Sequence, residues 1–519
     1  MAHSIKHNKR KVVPNWRSFG NTIALGELDS SGKEVARELI DPIESYAFDW
    51  RLNNSNLFAG ELLSAALIHN SFSNSEIKEA AKYIIKHQDI ASKSQISLAQ
   101  KFLGSKEKNQ IVLSKEIESI TRLNHMYQSG AVNDKIKYFK LKIRSHSFNP
   151  INYIELARLY LLIDNEDKSI SNIRIALKLA PDNRYVLRSA VTLFIHYHSK
   201  QNNYLAEIHK ILRKSPLHKI DPWVMSAEIT VASLRKKTSN NVKRGISLIE
   251  SKNLSPLSFT ELASTIGTLE LESGSRKKSK ILFTSALLDP NDNSLAQIEW
   301  ASGIYGGVDI NPFDYNVPKN FEAIAIDDYH KYKYQDAIDQ SQKWFLDMPF
   351  SLRPIDFGFT IASSLLKDQD KAIEIVKAGL ISHPQNNRLV NNLAYAYALN
   401  DEPEEALNQI RSIENQKSKN RSTDICLTAT KGLAHFRMGQ IEKGREIYLT
   451  AMEDASASGS KELQWKAMLN YAREEALLNS EHSKAIESQI NKIQPEEHER
   501  DILALKEDIL KLYEKNASA

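Results

Sequence analysis

Between Pro318 and Met452 one pattern of small residues and prolines returns four times, and few folds can accommodate it. Ala325, Ala337, Trp344 and Pro349 are separated by 12, 7 and 5 residues, and Thr360, Ala372, Gly379 and Pro384 repeat the same intervals. Ala394, Ala406 and Ile413 keep the first two intervals, as do Gly432, Gly444 and Ala451. The four units begin 35, 34 and 38 residues apart, a period that marks a solenoid rather than a single closed core. Two antiparallel helices on a short turn approach closely only where their side chains are small. The pattern supplies one small residue in a first helix and two more, seven apart, on the facing stripe of a second. A proline then stops the second helix, because its ring and missing N–H cannot continue the ladder.

The large residues recur with the small ones: Leu393 and Tyr397 flank Ala394, as Leu156 and Tyr160 flank Ala157 in an upstream copy. On these residues the chain resembles the tetratricopeptide repeat (TPR) family. The resemblance implies an all-α, right-handed superhelical solenoid of antiparallel helix pairs that holds a peptide or partner protein in a concave groove lined by first helices. Carried onto this sequence, the groove side chains fall near Arg158, Arg388, Asn391, Tyr395 and Arg437. The adjacent Asn391 and Asn392 are similar to asparagines that hold peptide backbone in some TPR grooves. The basic residues that complete those carboxylate clamps are missing from the matching positions.

Taken in order, residues 1–29 form an arm in which Lys9, Arg10 and Lys11 precede Trp16 and Phe19. Pro14 keeps Val13 extended, so no helix starts there. The two aromatics either cover the first helix pair, dock in a groove, or stack on bases while the cations meet phosphates. Residues 30–147 are expected to be a degenerate N-terminal helical region, with helices over Lys33–Tyr46, Asn56–His69 and Ser75–His87. The register is faint there at Met126, Tyr138, Ser145 and Pro150. A first sub-array spans 148–290, marked by Ala157/Ser169/Ala176/Pro181, Thr192/Tyr204/Ile211/Pro216, Ser233/Gly245 and Gly267/Ser279/Ala286/Pro290. The glycines and prolines of 291–317, including Gly303, Gly306, Gly307 and Pro312, predict a loop or hinge. A second sub-array over 318–519 ends in a charged amphipathic capping helix, Glu497–Tyr513.

With 41% apolar and 26% charged residues the 519-residue chain has the composition of a soluble protein with much to bury. No apolar run approaches the roughly 18–20 residues that span a bilayer. The basic N-terminus has no hydrophobic stretch behind it, and the single cysteine, Cys426, excludes an internal disulfide framework; the cytoplasm is the expected compartment. The net charge of +5 divides unevenly. Residues 301–519 carry 26 Lys/Arg against 34 Asp/Glu, and residues 1–300 carry 43 against 30. Either the two halves meet different partners or solvated surface has drifted in composition.

No constellation for catalysis emerges. A phosphate loop is missing, His196 and His198 point about 200° apart on a helix, and Asp327, Asp328 and His330 lie on an ordinary first-helix face. No catalytic residue, metal or cofactor is therefore expected. The favoured function is a non-catalytic scaffold or adaptor for a protein or peptide partner. A second possibility is RNA or DNA binding by the basic half, through Lys9–Lys11 and the clusters Arg235/Lys236/Lys237 and Arg276/Lys277/Lys278, placed at helix ends along one edge. A third is a regulatory subunit of a separately encoded enzyme.

Overall fold

The structure is a computed structural model that describes residues 54–68, 75–91, 93–104, 131–197, 203–251, 254–305, 310–413, 421–496 and 499–518, with a few single positions besides. Two compact units divide the chain, Trp16–Lys115 and a larger one that includes Glu116–Ala519. In the smaller unit, α1 (Asn56–Ile68), α2 (Ser75–Lys86) and α3 (Lys93–Gly104) share one core. Leu62, Leu63 and Ala66 pack there with Ile77, Ala81 and Ile84 and with Ala99 and Phe102. The stripe Ile77, Ala80, Ala81 and Ile84 is the buried face that its spacing predicts.

The larger unit begins with α4 (Ala131–Ser145). Helix pairs follow: α5 (Pro150–Leu162) with α6 (Glu166–Leu179), α7 (Arg184–His196) with α8 (Tyr204–Lys214), α9 (Pro222–Leu234) with α10 (Asn241–Glu250), and α11 (Pro256–Glu272) with α12 (Arg276–Ala286). Three first helices of this sub-array start on asparagine or aspartate caps. Asn149 accepts from the Ile151 N–H, Asn183 from Val186, and Asp221 from Trp223 and Val224. Pro150, Pro222 and Pro256 occupy first turns, where no N–H is needed. After α13 (Asp292–Tyr305), the stack continues as α14 (Phe321–His330) with α15 (Tyr334–Asp347), α16 (Arg353–Thr360) with α17 (Gln369–Ser382), α18 (Asn387–Leu399) with α19 (Pro403–Ile413), and α20 (Arg421–Arg437) with α21 (Ile441–Ala457). A further pair, α22 (Lys461–Leu477) and α23 (Glu481–Asn491), precedes α24 (Arg500–Ser518).

The small-residue register is where the paired helices meet. Ser169 Oγ donates to the Ala157 carbonyl at 2.8 Å, so the first two register positions of that unit are in contact. At Gly444 a Cβ would lie 3.0 Å from the Gly432 carbonyl oxygen and 2.9 Å from the Phe436 nitrogen, which only glycine avoids. Ala325, Ala337, Ala372, Ala394 and Ala406 are fully buried. Pro181, Pro349 and Pro384 stand directly after the C-caps of α6, α15 and α17, as stops should.

A second recurrence lies in the turns. Seven residues after the register position of a first helix the backbone is left-handed: Asp164, Gly274, Tyr332, Lys367, Asp401 and Gly439 follow Ala157, Gly267, Ala325, Thr360, Ala394 and Gly432. By the same interval Asn479 points to Ala472 in the α22–α23 pair, which the small-residue pattern does not reach. Lys236 is left-handed too, and this moves the register position of its unit from Ser233 to Ile229.

The loop expected over 291–317 is corrected by α13, a 14-residue helix. Its Ile298, Trp300 and Ala301 pack with Phe259, Phe283 and Ala286, and its Leu295 and Ala296 pack with Ala323. Thus α13 acts as a first helix without a second, and joins the two sub-arrays through packed side chains. Gly303 looked like a turn signal, but the His330 ring lies against it and leaves no room for a Cβ. A short 3-10 turn, Pro312–Tyr315, lies within the remainder of the segment. The faint copy around Tyr138 and Ser145 does not form a tight pair either, since both residues are exposed on α4, and Met126 lies outside the described residues.

Candidate interaction surfaces

The polar side chains of first helices lie between neighbouring repeats. Arg353 reaches from α16 to Glu322 of α14 at 2.5 Å, Arg388 from α18 to Asp356 of α16 at 2.6 Å, and Arg437 from α20 to Glu474 of α22 at 2.8 Å. Each pair is a rung joining one first helix to the next. Asn391 Oδ1 accepts from Thr430 Oγ1 at 2.9 Å, and Tyr395 donates past α20 to Asn470 Oδ1 of α22 at 2.8 Å. The sequence-based expectation of free groove side chains is corrected here. Asn391 and Asn392 are fully buried and Tyr395 nearly so, because the first helices curl until their inner faces touch. Arg388 and Arg437 are partly exposed but serve as rungs, and Arg158 pairs with Glu155 on its own helix at 3.2 Å. Trp16, Phe19, Lys9, Arg10 and Lys11 lie outside the described residues.

The first sub-array has a more deeply buried ladder. Arg184 Nε donates to Asp221 at 2.6 Å. Arg188 Nη2 reaches from α7 past α9 to both Glu261 oxygens on α11 at 2.8 Å, while its guanidinium covers the Trp223 ring at 4.5 Å. Asn291 donates to the same carboxylate at 2.9 Å. Beside it, Glu228 accepts from His209 Nε2 and Asn241 Nδ2, both at 2.9 Å, and from Ser239 Oγ. Arg235 is turned inward onto His209 Nδ1 at 2.6 Å, which fixes the ring proton on Nε2. The cluster Arg235/Lys236/Lys237 is therefore divided: Arg235 is half-buried against His209, and only Lys236 and Lys237 are exposed.

Two outer features face solvent. Arg276, Lys277 and Lys278 are exposed in the first turn of α12, which contains no acid, and Lys243 and Arg244 occupy the first turn of α10 in the same way. Cations at the positive end of a helix are electrostatically unfavourable, so the dipole does not explain them. Both groups flank turns between first and second helices and so line one edge. On α4 and the turn after it, Tyr138, Leu141 and Phe148 are 45%, 60% and 85% exposed among Lys142, Arg144 and other cations. The sequence expectations placed Tyr138 in a faint copy of the register and did not single out Phe148.

At the junction of the sub-arrays, burial and the Asp327 carboxylate push the Glu299 carboxyl up to about 8. Burial and the Arg500 guanidinium hold the His330 imidazole down at about 4. Among the described residues no group of three or more His, Cys, Asp or Glu side chains could hold a metal, and no helix is long and apolar enough to cross a membrane. Cys426 is buried. A cavity of about 190 Å³ between α19, α20 and α21 is lined by Leu407, Ile410, Arg411, Lys431, His435 and Lys443.

Among solved structures, yeast Tom70 aligns over 78% of this chain and 97% of its own at 14% identity, with a TM-score of 0.32. The P58(IPK) TPR domain aligns over 78% and 99% at 12% identity, with a TM-score of 0.18. No protein-family model matches the chain, and no curated protein matches it in sequence. Helix pairs that meet on this register, turn through a left-handed residue at one fixed position and stack at this period give the chain a TPR-like, all-α solenoid fold.

Proposed function

We propose that the protein is a non-catalytic scaffold that binds a partner protein through the outer surface of its array, in the cytoplasm. The observation that carries this reading is the exposed triplet Tyr138, Leu141 and Phe148, set among cations on α4 and the turn after it. Large apolar side chains clustered on a surface mark contact with another macromolecule. Aromatics ringed by Lys and Arg suit an acidic protein surface with an apolar centre. Partly exposed Arg158, Arg388 and Arg437 could add rim contacts, whereas Asn391, Asn392 and Tyr395 hold the stack together. The test is affinity capture of the tagged full chain from its native lysate, with and without nuclease, beside a Leu141→Ser/Phe148→Ser variant. A stoichiometric protein that survives nuclease and is lost from the variant is the expected result. Equal capture by both proteins would overturn the assignment to this face.

A second reading, binding of an RNA or DNA backbone, is favoured by the acid-free cationic edge at Lys243/Arg244 and Arg276/Lys277/Lys278. Its signature would be nucleic acid in the capture and an affinity that falls steeply with salt.

A further inference from the structure

We propose that α24 is a displaceable occupant, held in cis, of a helix-binding seat on the second sub-array, and that a partner presenting an amphipathic helix takes the same seat. The sequence predicts a terminal cap. Instead α24 leaves the end of the stack and bridges back across it. Along α22 it is fastened by Lys466 to Asp501 at 2.7 Å and by Asn516 to the Ala476 carbonyl at 2.7 Å. At its other side Arg500 donates to the carbonyls of Tyr329 and His330 at 2.5 and 3.3 Å, the C-terminal end of α14, where a cation is favoured. The same guanidinium lies 4.8 Å from the Tyr329 ring and 4.0 Å from that of Tyr332. Two turns on, Asp508 accepts from Lys367 at 2.6 Å. Ile502, Ile509 and Tyr513 form the buried stripe between these polar ends.

What marks this as a built site is the backbone beneath it. At five of the recurring left-handed turns the residue is one that tolerates the conformation: Asp164, Gly274, Asp401, Gly439 and Asn479. Lys236, Tyr332 and Lys367 are the three that do not, and the two of them in the second sub-array, Tyr332 and Lys367, both touch α24. Between them the first helix α16 widens into a π-turn over Ile361–Leu366, which also packs on α24. Three irregularities of a regular array thus converge on one helix, and local strain persists where a contact uses it. The fastening is uneven: Ile502 and Ile509 are buried and Lys466 is nearly dry against Asp501, and the loose point lies at Lys367. The Lys367 side chain is 59% exposed, so its ion pair is screened by salt. A competing helix would need a cation in its first turn, apolar residues at the spacings of Ile502, Ile509 and Tyr513, and an acid at the position of Asp508.

The consequence for partner choice rests on the scaffold reading, but the seat itself is testable without any partner. In the full chain, amides of α24 are expected to exchange with deuterium at least about tenfold faster than those of α20, through local opening. A fluorescent peptide of residues 500–518 should bind an Asp508→Lys chain at least about tenfold more tightly than the parent chain, because the seat is vacated more often. Adding Lys367→Asp re-forms the cis ion pair with its sign reversed and should return capture to the parent level. If α24 exchanges as slowly as α20 and neither chain captures peptide, the helix is a permanent part of the core and the proposal is overturned. Failure to find a partner by affinity capture would instead sink the scaffold reading and leave the seat standing.

Discussion

At Gly444 the two helices of a pair approach until backbone meets backbone, so this position measures the register directly. Gly444→Ala adds a methyl that meets the Gly432 carbonyl and the Phe436 nitrogen, neither of which can turn aside. Overpacking of this kind is expected to cost about 1–3 kcal/mol. A melting temperature equal to that of the parent would show that the pair has room to spare. This part of the fold was legible because a close approach needs a small residue whatever surrounds it. The turn positions were legible only in part. Asp164, Gly274, Asp401 and Gly439 are ordinary left-handed residues, but Tyr332 and Lys367 are not, and no local rule identifies them. The unit around Ile229 was misplaced by one helical turn because its register residue is large. A different kind of residue-scale test concerns Glu299, which is buried and titrates near 8 instead of 4.5. An acid with a raised native pKa binds its proton more tightly in the folded state. Between about pH 4.5 and about 8 the unfolded chain releases that proton first, so stability falls as pH rises through this window, by at most about 1.4 kcal/mol per pH unit. Glu299→Gln should therefore gain stability over the parent progressively from pH 4.5 to 8 and match its slope outside that range. Parallel curves in urea titrations across the window would contradict the assignment.

Between elements, the contacts that the sequence hides are the long ones. Nothing in the spacing of Arg188 and Glu261, 73 residues apart, announces that α7 reaches α11 past α9. Their union depends on the curl of the stack, which is set by many small packing angles and not by either residue. The same curl removed Asn391 and Tyr395 from solvent, which is why resemblance placed them at a surface and the fold placed them inside. In α13 the one glycine, Gly303, is a close-packing position that local signals cannot separate from a turn residue. The Arg188–Glu261 pair is nearly dry, so removing one partner leaves an uncompensated charge. Arg188→Ala is expected to cost about 3–5 kcal/mol, whereas Arg188→Met/Glu261→Leu should recover most of that loss. A double-mutant cycle in urea distinguishes this from simple loss of volume, which would make the two changes additive.

The whole molecule carries its excess positive charge in residues 1–300 and its excess negative charge in 301–519, and the two exposed cationic features of the basic half make different demands on a partner. On α4 and the turn after it, Tyr138, Leu141 and Phe148 are exposed in a cation-rich segment, so a partner bound there would draw on apolar burial and resist salt. Along the edge at Lys243/Arg244 and Arg276/Lys277/Lys278 the cations outnumber the one exposed apolar side chain on α12, Ile281, so association there is chiefly electrostatic and screened over about 8 Å at physiological ionic strength. Charge reversal separates the two. Arg276→Glu/Lys277→Glu/Lys278→Glu places acids in the first turn of α12, where they suit the helix dipole, so the variant should be as stable as the parent or slightly more so. If a protein partner docks on α4, this variant should retain capture within about twofold in 150 mM salt, since exposed charges outside the apolar contact contribute little at that salt. If the edge tracks a nucleic-acid backbone, the reversal should abolish capture, and the parent's affinity should already fall by orders of magnitude between 50 and 200 mM salt. Stability that rises while capture survives would leave the cations of α12 as a feature of neither reading, and would concentrate function on the aromatic face of α4.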